Sequence, residues 1–246
     1  MNTSDNSATH RIVVLDTETT GMNREGGPHY EGHRIVEIGA VEIINRKLTG
    51  RHFHVYIKPD REIQPEAIDV HGITDEFLRD KPEYHQVHQE FVDFIRGAEI
   101  VAHNAPFDVG FMDLEFRQLN SANPKTAELC KVTDTLAMAK KMANMPARKN
   151  LDSLAKHYTI DTSARVLHGA LLDAEILADV YLAMTGGQTA LQFNANANGG
   201  EQEGEDIRRV VGRKALKVIL ASADELEAHQ ARLDIVEKGG ACLWRH

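Results

Sequence analysis

Ile12-Val13-Val14-Leu15-Asp16-Thr17-Glu18-Thr19-Thr20-Gly21 is the stretch that decides the fold. Its first half is apolar, β-branched and bounded by polar residues, as in a short buried strand. Side chains alternate faces along a strand, so Asp16 and Glu18 share one face and Thr17 takes the other. Two carboxylates placed this way at the end of a core strand repel each other. They are also costly to desolvate unless something positive sits between them. A divalent metal with oxygen ligands supplies that charge in a small volume. The alternative is a polar turn closing the strand, because Asp, Thr and Gly are ordinary turn residues. The metal reading therefore requires more acid elsewhere in the chain.

Outward from this stretch, strand and helix signals alternate from Arg11 to about Gly187. Ile35 to Ile44 is rich in β-branched residues, and Phe53, Val55 and Ile57 alternate with polar neighbours. The short connection Asn45 to Gly50 predicts an antiparallel hairpin between these strands. Glu99 to His103 reads as another core strand. Helical patterns follow at Tyr84–Ile95, Pro106–Leu119, Thr135–Met142, Leu151–Tyr158 and Ala170–Met184. Antiparallel strands first, then strands separated by helices, predict an α/β fold with a mixed sheet flanked by helices.

The further acids are Asp108 and Asp173. Asp108 follows Pro106, which suits the first turn of a helix, and sits beside the inward stripe Phe107, Phe111, Leu114. Alone, it could serve merely to favour the helix dipole. Asp173 shares its helix face with Ile176, Leu177 and Val180, so it points at the core and needs a partner. Nothing nearby in sequence offers a Lys or Arg on that face, and a metal shared with Asp16 would resolve the problem. His168 lies five residues before Asp173, about 140° away on a continuous helix. It can face the same site only from the preceding loop, where Gly169 lends freedom. Asp134, between Thr133 and Thr135, reads as a helix N-cap rather than a catalytic acid.

This ordered set resembles the DEDDh 3′–5′ exonucleases: Asp16-x-Glu18, then Asn104-x-x-Phe107-Asp108, then His168-x-x-x-x-Asp173. One motif alone is weak, whereas the set in order is specific, and the resemblance covers about residues 11–184. It extends to Glu37 to Val41 and Val70 to Thr74 and implies a ribonuclease-H-like fold. Asp16, Glu18, Asp108 and Asp173 would then hold two Mg²⁺ or Mn²⁺ ions, with His168 as general base. Thr19, Met22, His71, Asn104 and Phe107 match positions expected near the terminal nucleotide. Phe107 equally suits core packing, and His71 could cap a turn. Within the family the likeness is greatest to the proofreading subunits of bacterial replicative DNA polymerases. It is carried by His71 to Ile73, Cys130 to Asp134, Leu167 to Asp173, Tyr181 to Thr189 and Cys242 to Arg245.

Beyond Gly187 the character changes. Gln188-x-x-Leu191-x-Phe193 has the form of a sliding-clamp binding peptide. Asn194 to Glu205 has no periodicity and reads as a flexible linker, spanning roughly 20 Å r.m.s.. Residues 188–205 thus form a linker carrying the clamp peptide. In residues 206–246, Lys217 to Leu220 resembles a strand. Ser222 and Glu225 form a capping box, and Leu226, Leu233 and Val236 recur at helical spacing. This segment is too short for its own core and suits a partner, the alternative being that it folds back on the main domain. The resemblance implies that Leu226, Leu233, Val236 and Trp244 meet the polymerase subunit, and leaves room for a small accessory subunit on the catalytic domain.

Composition fits this picture. The chain has 246 residues, 42% hydrophobic and 26% charged, which suits a soluble globular protein. With 28 basic and 37 acidic side chains the net charge is −9. That argues against binding nucleic acid through a broad basic surface. Metals supplying local positive charge, or tethering by partners at an effective concentration of about mM, would allow an acidic DNA enzyme. The two cysteines, Cys130 and Cys242, show no metal-like spacing. With no apolar leader and a polar tail over residues 1–10, a reducing cytoplasm is expected. The expected function is a proofreading exonuclease that releases 5′-monophosphates from mispaired 3′ ends. The alternatives are a free-standing nuclease trimming RNA or oligonucleotides, and a mainly structural adaptor between polymerase and clamp.

Overall fold

A computed structural model describes residues 10–163, 165, 167–186 and 221–239. They fall into two separate units, residues 10–186 and the helix near the C-terminus. The polar tail, the clamp-type peptide with Gln188, Leu191 and Phe193, the linker, the strand expected at Lys217 to Leu220, and Trp244 lie outside the described residues.

The larger unit is built on five strands: β1 (Arg11–Thr19), β2 (Ile35–Ile44), β3 (Lys47–Tyr56), β4 (Glu99–Ala102) and β5 (Lys131–Asp134). Their order is β3-β2-β1-β4-β5, which puts β1 at the centre. β1 is antiparallel to β2 and parallel to β4; β2 and β3 are antiparallel, and β4 and β5 are parallel. This is the mixed sheet expected. The hairpin between β2 and β3 is tighter than its polar residues suggest. Only Asn45 and Arg46 turn the chain, with φ of 51° and 61°, which matches a type I′ turn in a hairpin.

β1 also runs further than its apolar residues indicate. Asp16 and Glu18 lie within it, paired across to Gly39 and Glu37 of β2, rather than in a turn beyond it. β4 by contrast pairs only with Ile12, Val13 and Val14. The half of β1 that carries the acids therefore has a strand on one side and an open edge on the other.

Helices cover both faces. α1 (Pro65–His71), α2 (Asp75–Leu78) and α3 (Tyr84–Ile95) lie between β3 and β4 in sequence, and α4 (Pro106–Leu119) follows β4. Val13 and Leu15 pack with Phe91 and Ile95 of α3 and Phe111, Met112 and Phe116 of α4. The remaining helices of this unit are α5 (Thr126–Leu129), α6 (Thr135–Lys141), α7 (Leu151–His157) and α8 (Ala170–Thr185). Ile12 and Val14, on the other face, pack with Leu154 of α7 and Ala174, Ile176, Leu177 and Val180 of α8. The short α1, α2, α5 and β5 carry too little periodicity to be seen in the sequence. Arg34 fastens α4 to the start of β2 through a bidentate pair with the buried Glu115, at 2.9 and 2.7 Å. Glu115 also accepts the Ile35 backbone N–H at 3.2 Å.

The second unit is α9 (Ala223–Gly239). Its start carries the expected capping box: Ser222 N–H donates to Glu225 at 2.8 Å, and Glu225 N–H donates back to Ser222 Oγ at 3.3 Å. Leu226 and Val236 are exposed and Leu233 is buried. No helix among the described residues is long and apolar enough to cross a membrane.

Gly39 sets the distance between the sheet and α8. A Cβ there would lie 2.1 Å from Leu171 N and 2.2 Å from Ala170 C, in the first turn of α8. Gly39 is also the cross-strand partner of Asp16. The missing side chain thus lets the start of α8 settle against the acidic end of β1. Gly39→Ala is expected to cost about 1–3 kcal/mol by overpacking. It should also weaken Mn²⁺ binding by moving Asp173; thermal melting and a metal titration check the two effects.

Candidate active site

The sequence-predicted acids arrive from three directions. Asp16 and Glu18 project from β1 on the face covered by α8, and Asp173 lies in the first turn of α8, buried. Asp108 comes from the first turn of α4 on the opposite face. It reaches the others along the edge that β4 leaves open. Thr17, the residue between the two β1 acids, holds it there: Thr17 Oγ1 donates to Asp108 Oδ1 at 2.8 Å, and the Thr17 backbone adds a hydrogen bond. From the face opposite Asp16 and Glu18, Thr17 thus anchors the third acid.

Proximity appears in the proton affinities. Burial, then the charges of Asp108, Glu18 and Asp173, hold the Asp16 carboxyl well above the usual range. Burial, then the charge of Glu37, pushes Glu18 up to about 8. Burial pushes Asp108 up to about 7 despite its Thr17 hydrogen bonds. Glu37 is a fifth acid that residue patterns did not mark as functional. It faces Glu18 across the β1–β2 ladder and contacts His54 Nε2 at 2.7 Å.

His168 sits on the loop ahead of α8, half-exposed, as the spacing required. Its backbone N–H donates to Val70 O of α1 at 3.2 Å. Gly169 is not the source of any special freedom, since its φ of −150° is extended backbone open to any residue. One ligand atom each from Glu18, His168 and Asp173 lie within 4.8 Å of one another. Asp16 and Asp108 stand outside this closest group.

Asp173 has a basic partner that does not lie on its helix face. Arg165 grips it, with Nε on Oδ1 at 2.5 Å and Nη2 on Oδ2 at 2.6 Å. Arg165 approaches from the loop ahead of α8, off the helix face that Asp173 shares with Ile176, Leu177 and Val180. Asp134 is an N-cap, as expected: its carboxylate accepts the Leu136 N–H at 2.9 Å and the Asn104 N–H at 3.0 Å.

Beside Glu18 lies a cavity of about 200 Å³ that Thr19, Met22, His71 and Phe107 help to line. Met22 is exposed, and Phe107 is half-buried, stacked on His29 with ring centroids 5.0 Å apart. His71 is a turn cap: Ile73 N–H donates to its Nδ1 at 3.0 Å, and its Nε2 lies 3.2 Å from Thr19 O. Asn104 is exposed at the turn into α4 and does not line this cavity.

The donor set tests the metal expectation directly. Asp16, Glu18, Asp108 and Asp173 offer hard carboxylate oxygens, and Arg165 supplies one positive charge among them. Hard oxygens gathered in this way fit Mg²⁺ or Mn²⁺.

The model of the exonuclease family (RNase_T) matches residues 13–181, a span that contains every one of these acids and His168. The chain belongs to the exonuclease family. Membership makes it a phosphodiester hydrolase, a 3′–5′ exonuclease. It is 59% identical over 243 residues to the DNA polymerase III subunit epsilon of Escherichia coli (strain K12), covering 97% of this chain and 99% of that one. The DNA polymerase III subunit epsilon of Haemophilus influenzae is 56% identical over 246 residues, covering 96% and 94%. Among solved exonuclease structures, exonuclease X in complex with 5′-overhanging duplex DNA matches with a TM-score of 0.52 at 28% identity. The match covers 71% of this chain and 91% of that one.

A raised carboxyl pKa means that the folded chain binds the proton more tightly than the unfolded chain does. The stability this contributes is complete below the ordinary value and is lost as pH rises through the folded one. For Glu18 the window runs from 4.5 to about 8, and Asp108, at about 7, acts in the same sense. In chelator, the melting temperature is therefore expected to fall across this window. Saturating Mg²⁺ should flatten the fall, and a profile that rises with pH would contradict the electrostatics described.

Proposed function

We propose that this exonuclease proofreads for a replicative DNA polymerase, removing mispaired 3′-terminal nucleotides as 5′-monophosphates. The carrying observation is the convergence of Asp16, Glu18, Asp108, Asp173 and His168 at one end of β1, beside a cavity sized for part of a nucleotide. The DNA polymerase III epsilon subunits that match nearly the whole chain support the polymerase setting.

Asp16, Glu18, Asp108 and Asp173 would hold two Mg²⁺ or Mn²⁺ ions. When bound, these ions lower the pKa of water and neutralise charge developing on the phosphate. His168, half-exposed on its loop, is the general base and takes the proton of the attacking water. Thr17 keeps the Asp108 carboxylate aimed at the site. Thr19, Met22, His71 and Phe107 receive the terminal nucleotide in the cavity, and Asn104 meets it from the turn into α4. Phe107 offers a ring face to the base. With both ring nitrogens engaged, His71 acts by holding the wall of the cavity rather than by bonding the base.

The remainder of the chain delivers this site. Gln188, Leu191 and Phe193 bind the sliding clamp. Leu226, Leu233, Val236 and Trp244 in residues 206–246 bind the polymerase III alpha subunit. Tethering supplies DNA proximity that a net charge of −9 does not. A small accessory subunit on the catalytic domain is compatible with this arrangement, and the setting is the bacterial cytoplasm.

A nuclease assay on paired and mismatched 3′ ends, with RNA as the comparison, tests the reading. Asp16→Ala and chelation are both expected to abolish release of 5′-monophosphates, with Mg²⁺ or Mn²⁺ restoring the parent. His168→Ala should lower the rate by about 10²–10⁴-fold while keeping metal affinity. Equal digestion by parent and Asp16→Ala would remove the catalytic assignment. Failure of residues 206–246 to retain a polymerase subunit would favour a free-standing enzyme.

A further inference from the structure

Arg165 belongs to no motif, yet it makes the densest set of polar contacts at the site. Its side chain is only 7% exposed and Asp173 is 4% exposed. The guanidinium takes both oxygens of Asp173, at 2.5 and 2.6 Å. Nη2 also donates to His168 Nδ1 at 2.7 Å, and Nη1 pairs with Asp152 in the first turn of α7. Asp152 is 60% exposed, so the outer end of the strap faces solvent.

These contacts constrain the proposed base. A guanidinium has five donors and no acceptor, so the His168 Nδ1 that receives from it presents its lone pair. Asp173 Oδ2 lies 3.1 Å from the same Nδ1, so guanidinium and carboxylate crowd one ring nitrogen. While Arg165 holds it, that nitrogen is closed to an incoming water. The bidentate grip likewise fills the oxygen positions on Asp173 best suited to an ion.

We propose that Arg165 is a built-in competitor for the metal site. It clamps Asp173 and His168 in a closed arrangement, and divalent cation displaces it. Displacement does two things together: it turns the Asp173 oxygens to the ion, and it returns the lone pair of His168. The Asp152 contact belongs to the closed clamp and is given up with it, so the change needs only the Arg165 side chain and its loop to move. Loading of the site and readiness of the base are thereby coupled. The inference rests on the two-metal reading above.

Mn²⁺ titration calorimetry on the full-length chain tests it, with melting in EDTA and in saturating Mn²⁺ as a second readout. Arg165→Gln is expected to bind Mn²⁺ roughly tenfold more tightly, the scale of one lost charge-assisted pair. It should melt below the parent in EDTA and level with it in Mn²⁺. Arg165→Lys, which keeps the charge without the fork, should fall between the two. Asp152→Asn, which frees the outer end, should tighten binding by a smaller factor. Unchanged or weaker Mn²⁺ binding by Arg165→Gln would overturn the proposal and make Arg165 an organiser of the site. If that variant does not fold by circular dichroism, Arg165→Lys and Asp152→Asn decide, and binding no tighter than the parent in both overturns it. Parent binding that Asp16→Ala removes upholds the two-metal reading whichever way Arg165 falls. A parent that gives no Mn²⁺ binding sinks both.

Discussion

Like charges crowded onto a short length of one strand are the constraint around which this protein is built. Asp16 and Glu18 point the same way from β1, with Glu37 opposite on β2, Asp173 above on α8 and Asp108 at the edge. Each carboxylate makes its neighbours harder to ionise, and burial compounds the cost. Nothing in local conformational preference would gather them. They are held together because a larger core on both faces of β1 outweighs their repulsion. The acids also sit on a central strand and two packed helices rather than on loops. Their positions are therefore set by elements that cannot easily give way, which is what a preorganised charged site needs.

Three local features make the gathering possible. β4 stops short, leaving the edge of β1 open where Asp108 enters. Gly39 has no side chain, so α8 can approach the strand closely enough to bring in Asp173. Thr17 turns the unused face of β1 into an anchor for Asp108. Side-chain partners meet these acids at two flanks. His54 contacts Glu37 at one flank, and Arg165 spans Asp173 and His168 at the other.

His168 and Arg165 share the connection between α7 and α8, in contrast to the acids on the sheet and helices. That connection is tied to α1 through the His168 N–H and Val70 O. The proposed base and the proposed competing cation thus lie on a connection rather than on a regular element. Chemistry that needs a fixed field is placed on the scaffold, and chemistry that needs a change of partner is placed on the loop.

The sequence by itself determined the main elements, because each has a period long enough to read: β2, α3 and α4 begin and end where the residue patterns put them. It also carried the ordered set Asp16, Glu18, Asp108, His168 and Asp173, since each acid is awkward to place otherwise. The cap at Asp134 was legible because capping is a local hydrogen bond. The full reach of β1 was not, since the apolar pattern ends at Leu15 while ladder pairing with β2 carries the strand on to Thr19. Tertiary structure alone decided the parts played by Thr17, Glu37, Gly39 and Arg165. A threonine that anchors an acid 91 residues away, or an arginine that folds back from a loop, leaves no periodic trace. Their roles depend on which atoms meet across the sheet, and that is settled only when the two faces of β1 are packed.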